Sequence, residues 1–217
     1  MDFAIFEQYG PSLLRGFGVT ILCWLLGTVF GMALGLVIAL IQRYGPRWVG
    51  WILQIYIEVI RGTPFLVQLF VLYYGGPLIG LRLDALPAGL LGLTIYGSPY
   101  FAEIFRSGFR AVPVGQLEAA RAMGMPRLTV LRRIWLPQAL HRALPTLGGE
   151  VVLQLKATPL VATITVIDIY SVANRVRQDT FIVYEPLILL ALVYMAITGV
   201  IVLAFRRLEK SLPSRTA

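Results

Sequence analysis

The chain has 217 residues, of which 58% are hydrophobic and only 14% charged, with a mean hydropathy of +0.77. Soluble domains carry about 25% charged residues, so the composition excludes one and points to an all-α integral membrane protein with room for about five spans of ~20 residues. The net charge of +8 would suit a nucleic-acid binder, but the arginines stand beside apolar runs, as the positive-inside rule expects, and the single cysteine, Cys23, excludes an internal disulfide framework.

The N-terminus does not read as a secretory signal, because Asp2 and Glu7 stand where a basic region is needed. The first expected span covers residues 16–41. Gly27, Gly31 and Gly35 recur along it at i, i+4 and i+8. Such a small-residue stripe lets another helix approach closely, although glycine is also simply tolerated in membrane helices. A short basic turn, Arg43 to Arg47, follows. The second span, 48–76, is expected to kink at Pro64, which removes a backbone donor within Arg61-Gly62-Thr63-Pro64. Glu58 and Arg61 are three apart and could pair at the membrane edge. The connection 75–87 carries Arg82 and Asp84 and is neutral. The third span is expected over 88–106, the fourth over 144–169 and the fifth over 186–205. A neutral connection, 170–185, precedes the fifth span, and a basic tail with Arg206, Arg207, Lys210 and Arg215 follows it. Every basic segment lies inside if the N-terminus is outside and the C-terminus cytoplasmic. Residues 1–217 then form a single transmembrane domain of five transmembrane helices with a long cytoplasmic loop, 107–143.

That loop contains Glu118-Ala119-Ala120, then Gly124, Ile134 and Leu136-Pro137 at fixed distances. Pro113 suits a helix start, and Gln116 to Met123 is a strong helix-forming run. Gly124 stands where a left-handed residue would close the helix, and Pro126 prevents continuation. A helix of about two turns is therefore expected. Ala119, Ala120 and Ala122 give it a slim body that could lie in a groove of another protein. Charge alone would make the same stretch a basic amphipathic loop on a membrane surface.

The complete spacing resembles the EAA loop of the membrane subunits of bacterial ABC importers. The stretches IEVIRGTPFLVQLFVLYYG, YGSPYFAEIFRSGF and LPTLGGEVVLQLKATPLVATITVIDI are similar to the second, third and fourth spans of permeases in the polar amino acid uptake family. The resemblance implies a MetI-like, type I ABC importer fold in the bacterial plasma (inner) membrane. It implies coupling to an ATPase through Gln116, Glu118, Ala119, Ala120, Met123 and Gly124. It implies a translocation path that involves Ser98, Tyr100, Glu103, Glu150, Lys156, Ala157, Thr158 and Pro159. The implied partners are an ABC ATPase dimer, a second permease copy or paralogue, an extracytoplasmic solute-binding protein and membrane lipid, with no nucleic acid. The lysines, Lys156 and Lys210, lack the surroundings of a P-loop. No cofactor is expected in this chain, and ATP with its magnesium is expected on the partner ATPase.

An ionisable residue inside a span is costly and marks a functional or bundle-facing position. Glu103 and Arg106 can neutralise each other. Lys156 reads equally as a bundle-internal charge paired with Glu150 and as a lining residue of the path. The chain departs from the family where Lys156-Ala157-Thr158-Pro159-Leu160 replaces KDTSL, where Gly149 replaces an asparagine, and where Ser98-Pro99 precedes Tyr100. Ala157 removes a carboxylate that a cationic substrate could use. Pro99 and Pro159 are expected to break helices at membrane depth, which is tolerated where freed backbone lines a cavity. The expected function is an amino acid importer permease, with opines and osmolytes as alternative solutes. An intramembrane enzyme finds no support, since His141 lies alone in the basic loop. A channel finds none either, since no filter-like repeat or gating-charge helix is present.

Overall fold

The computed structural model describes residues 3–211; Asp2 and Arg215, both used in the topology expectation, lie outside the described residues. Among the described residues the regular structure is entirely helical, as lipid demands when each backbone group must be satisfied within its own segment. The order is α1 (Phe3–Tyr44), α2 (Arg47–Gly62), α3 (Phe65–Phe70), α4 (Ala85–Arg110), α5 (Val114–Ala122), α6 (Arg127–Val130), α7 (Leu136–Ala157), α8 (Ile169–Thr180) and α9 (Tyr184–Ser211). By length and composition α1 and α9 can each cross a membrane alone, and two more crossings arise if each of two bent helix pairs is one broken span.

α4 is the centre of the bundle, packed against α1, α2, α3 and α7. The glycine stripe of α1 faces it. A Cβ on Gly27 would lie 2.8 Å from Leu93 Cβ, and one on Gly35 would lie 2.7 Å from both Phe101 Cβ and the Ser98 carbonyl oxygen. The stripe is therefore a close backbone crossing, the packing that small residues permit.

Pro64 does more than kink the second apolar stretch. The helix before it and the helical segment after it differ in direction by 108°. Thr63, as the residue before proline, is extended at φ −120° and ψ 144°, and Pro64 is extended as well. The carbonyls freed at the end of α2 are not left bare. Gln68 Nε2 donates to the Ile60 carbonyl at 2.7 Å, to the Thr63 carbonyl at 3.0 Å and to Thr63 Oγ1 at 2.9 Å. One amide thus satisfies the break that one proline makes.

Pro99 behaves differently, and the expected break there does not occur: α4 runs unbroken through it. Lacking an N–H, Pro99 releases the carbonyl of Ile95 four residues earlier. Tyr56 Oη donates to that carbonyl at 3.1 Å, and Ser98 Oγ donates to it at 3.1 Å. Tyr56 and Ser98 are themselves 2.7 Å apart. Removing one of two donors leaves the carbonyl satisfied, so Tyr56→Phe is expected to cost only about 0.6 kcal/mol, the typical value for a hydrogen bond inside a membrane. Thermal unfolding of the purified protein checks this, and a loss of several kcal/mol would show Tyr56 to be the sole support of the Pro99 turn.

The expected break at Pro159 does not occur there: α7 passes at Ala157 straight into a 3-10 turn, Thr158–Ile164, and the chain changes direction by 55° only between Ile164 and Ile169. Asp168 then caps α8, its carboxylate accepting the Ser171 N–H at 2.8 Å. The Ile169 N–H donates to Thr20 Oγ1 at 3.1 Å, which docks the start of α8 on α1.

Candidate functional site

Two regions carry the residues singled out in the sequence. The first is α5. Its helix begins two residues before the expected Gln116, because the Pro113 carbonyl already accepts the Gln116 N–H and Pro113 occupies the cap rather than the first turn. Its closure matches the expectation. Gly124 has φ +73°, its N–H donates to the Arg121 carbonyl at 2.9 Å, and the Met125 N–H donates to the Ala120 carbonyl at 3.1 Å. This double closure is the Schellman arrangement, which requires a left-handed residue.

The helix has an inner and an outer side. Leu117 and Ala120 are buried in the main core with Val112, Val130, Trp135 and Ala139. Gln116 accepts a hydrogen bond from Gln138 Nε2 at 2.7 Å, which ties α5 to α7. Glu118, Ala119, Met123 and Gly124 are exposed, Met123 at 72%. The outer side is thus a shallow surface of small residues with one carboxylate and one flexible thioether.

Just beyond it, a π turn over Leu131–Trp135 leads into α7, and Pro137 follows at once. The Leu136 N–H reaches back to the Leu131 carbonyl, five residues earlier. The wider turn absorbs the donor that Pro137 lacks. The Ile134 and Leu136-Pro137 elements of the spaced pattern are therefore the joint between the α5 region and the α7 rod.

The second region is formed by α4 and α7. Tyr96, Tyr100, Glu103 and Ser107 recur at helical spacing on α4 and retain access to the outside of the protomer. On α7 the matching stripe is Arg142, Thr146, Gly149, Leu153 and Lys156, all exposed. The two stripes meet at a cleft of about 230 Å³ whose walls include Glu103, Ser107, Arg142 and Thr146. Polar groups on the outer face of apolar helices must be covered by something other than lipid tails.

The residues expected near a path divide by burial. Ser98 and Thr158 are wholly buried, and their hydroxyls are committed to Tyr56 and Ile95, and to Leu155 and Tyr194, respectively. Ala157 is buried as well, and Pro159 is half-buried. Glu150 is 8% exposed and lies within electrostatic reach of Arg61, whereas Lys156 is exposed. The two differ by six positions, about 120° apart around a helix, which is why the sequence alternative of a Glu150–Lys156 pair is not realised.

Glu103 makes the sole ion pair among the described residues, with Arg106. Arg106 Nη1 also donates to Gln54 Oε1 at 3.3 Å, and Gln54 is bonded in turn to Gln42 and Glu58. The expected Glu58–Arg61 pair is absent, because Gln54 Nε2 takes the Glu58 carboxylate at 3.0 Å. Arg61 instead lies 5.5 Å above the Tyr100 ring. Tyr100 is 5.3 Å from Tyr96, which is 4.7 Å from Phe65 just beyond the Pro64 break. The sequence reading gave Arg61 an acidic neighbour on its own helix, and the packing of α2 on α4 gave it an aromatic one instead.

Residues 31–213 match the family model described as "Binding-protein-dependent transport system inner membrane component". The chain is 35% identical over 205 residues to the probable amino-acid ABC transporter permease protein y4tG of Sinorhizobium fredii, covering 94% of this chain and 89% of that relative. It is 30% identical over 215 residues to the arginine transport system permease protein ArtQ of Bacillus subtilis, covering 99% and 98%. It is also similar to the solved chain described as "Crystal structure of an amino acid ABC transporter with histidines", with a TM-score of 0.88 and 35% identity over 98% of this chain and 99% of that one.

Proposed function

The chain belongs to the family of binding-protein-dependent transport system inner membrane components, and from that membership we infer that it is the permease subunit of an ATP-driven importer for polar amino acids. It resides in the inner membrane and is a transporter subunit rather than an enzyme. The family implies an ATPase subunit and a solute-binding protein as partners. In this reading the ATPase is a dimer that binds ATP and magnesium and grips the outer side of α5, and a second permease copy or paralogue completes the path. The chain crosses the membrane five times as one domain, with its N-terminus outside and its C-terminus cytoplasmic. α1, α9, the broken span at Pro64 and the bent α7–α8 pair make four crossings by length and composition, and in this reading α4, at the centre of the bundle, is the fifth.

The carrying observation is the outward polar face of α4 and α7. A single protomer leaves Tyr100, Glu103, Gly149 and Lys156 uncovered on apolar helices, which suits a path enclosed between two permeases. Transport by the reconstituted complex with and without its ATPase tests the reading. An importer is silent without the ATPase, and solute flux through the permease alone would overturn it. The topology has its own check. A reporter after Lys210 is expected in the cytoplasm and a tag before Asp2 outside. External labelling of a cysteine placed at Ala119 in intact cells would reverse the assignment.

The charges beside this face bear on the substrate. Arg61 and Lys156 are exposed cations, Glu150 is largely buried but within electrostatic reach of Arg61, and Ala157 offers no carboxylate. A cationic side chain left without a carboxylate in a low-dielectric path is strongly disfavoured. The expected substrate of a homodimeric complex is therefore neutral or acidic, with its carboxylate held by Arg61. Alternatively, a paralogue supplies the acid and does the contacting. Arg61→Gln is expected to raise KM about tenfold or more, the worth of one hydrogen bond to a charged group. Efficient arginine or lysine uptake by the homodimer, unaffected by Glu103→Gln and Glu150→Gln, would overturn the charge argument.

A further inference from the structure

Between the end of α1 and the α5–α6 turn lies a cleft of about 550 Å³, with walls that include Arg43, Tyr44, Arg121, Gly124, Arg127 and Trp135. Its charged lining is three arginines and no carboxylate. Among the described residues none of the three has an acidic partner, since the one ion pair is Arg106–Glu103. Arg43 is held in position, its guanidinium 4.7 Å from the centre of the Trp135 ring. Trp135 is itself fixed. It is 5% exposed, its Nε1–H donates to the Phe109 carbonyl at 2.9 Å, and it meets Tyr44 and Phe109 edge-on. On the other side of the same wall a smaller cleft, about 290 Å³, adds Arg110, while the Arg106 it also contains is paired with Glu103.

Converging unpaired guanidinium groups repel one another and focus a positive potential into the cleft. Their planar forks match the oxygens of a phosphate. The surroundings indicate where that phosphate comes from. The cleft opens where the apolar run of α1 gives way to Gln42, Arg43 and Tyr44. The next helix begins with Trp48 and Trp51, 67% and 74% exposed, and Tyr44 is half exposed. Exposed tryptophan and tyrosine at the end of a spanning helix mark the headgroup level of a bilayer. Tyr44 lines the cleft itself, and Trp48 and Trp51 follow it within seven residues, so the cleft opens near the level where lipid headgroups are concentrated.

We propose that this cleft binds the phosphate headgroup of an anionic phospholipid of the cytoplasmic leaflet, wedged between α1 and α5. Leaflet composition would then act on α5, the helix that meets the ATPase. The proposal rests on the orientation given above and on the cleft itself.

The test uses the full complex of permease, ATPase and binding protein in nanodiscs of phosphatidylcholine with or without phosphatidylglycerol. Native mass spectrometry reads retained lipid, and substrate uptake by matching proteoliposomes reads function. The wild-type complex is expected to retain phosphatidylglycerol and to transport faster in its presence. Arg43→Gln/Arg127→Gln is expected to weaken retention about thirtyfold and to abolish that stimulation, at about 1 kcal/mol for each of the two basic residues near a charged membrane surface. Arg206→Gln/Arg207→Gln removes the same charge from the tail and is expected to change neither readout. If the double variant does not fold, Arg127→Gln alone, exposed on the short α6, carries the test with a smaller loss. Equal losses in the cleft and tail variants would reduce the effect to general surface charge and overturn the site. Retention of inorganic phosphate in place of lipid would reassign it to a soluble anion. Loss of the ATPase from the cleft variant with lipid retention unchanged would reassign the arginines to an acidic surface of that subunit.

Discussion

Gly124→Pro is expected to abolish transport and release the ATPase while the permease still inserts into the membrane. Gly124 lies at φ +73° and donates its N–H to Arg121. Proline is locked near φ −65° and has no N–H, so the substitution loses both halves of the closure. Nine residues make a helix too short to persist on its own propensity. α5 survives because Leu117 and Ala120 anchor it and Gly124 closes it. The spanning helices touch none of these bonds, so insertion is spared. Glu118→Lys separates docking from folding. Glu118 is exposed and makes no hydrogen bond or ion pair among the described residues, so its reversal leaves the permease stable and changes only the face offered to a partner. Membrane fractionation, ATPase co-purification and uptake are the measurements. Normal uptake together with normal co-purification in both variants would show that α5 is not the docking helix.

Gly35→Val is expected to remove most of the assembled protein from the membrane. A Cβ at Gly35 would lie 2.7 Å from the Ser98 carbonyl oxygen and 2.8 Å from the Ala102 amide nitrogen. Both are backbone atoms of α4 and cannot rotate aside. The two helices would have to separate along their whole contact, and overpacking of a well-filled interior costs about 1–3 kcal/mol even where side chains can adjust. The stripe supplies its own gradation. A Cβ at Gly31 would meet the Thr94 carbonyl oxygen at 3.4 Å, so Gly31→Ala is expected to be mild. Gly50 has no atom within 4 Å of such a Cβ, so Gly50→Ala is expected to be neutral or to gain up to ~1 kcal/mol from helix propensity. Full-length protein recovered in detergent, with its melting temperature, ranks the three. Gly35→Val behaving like Gly50→Ala would mean that α1 and α4 do not cross there.

What the sequence determined by itself was whatever depends on residues close along the chain. Gly124 and Pro126 close α5 in a way set by φ alone, Pro64 imposes an extended Thr63, and Gly27, Gly31 and Gly35 announce a close crossing by their spacing. The spaced Glu118-to-Pro137 pattern was enough to identify the family. The tertiary structure decided which groups come from elsewhere to meet these local features. α4 turned out to be the partner of the glycine stripe. Pro99 failed to break its helix because Tyr56, from α2, and Ser98 take the carbonyl it frees. Arg61 exchanged a neighbour on its own helix for Tyr100 on another. Backbone strain and helical period act over a few residues and are written into the chain. A hydrogen-bond donor 39 residues away, as Tyr56 is from Ile95, is brought to its acceptor only by the packing of whole helices.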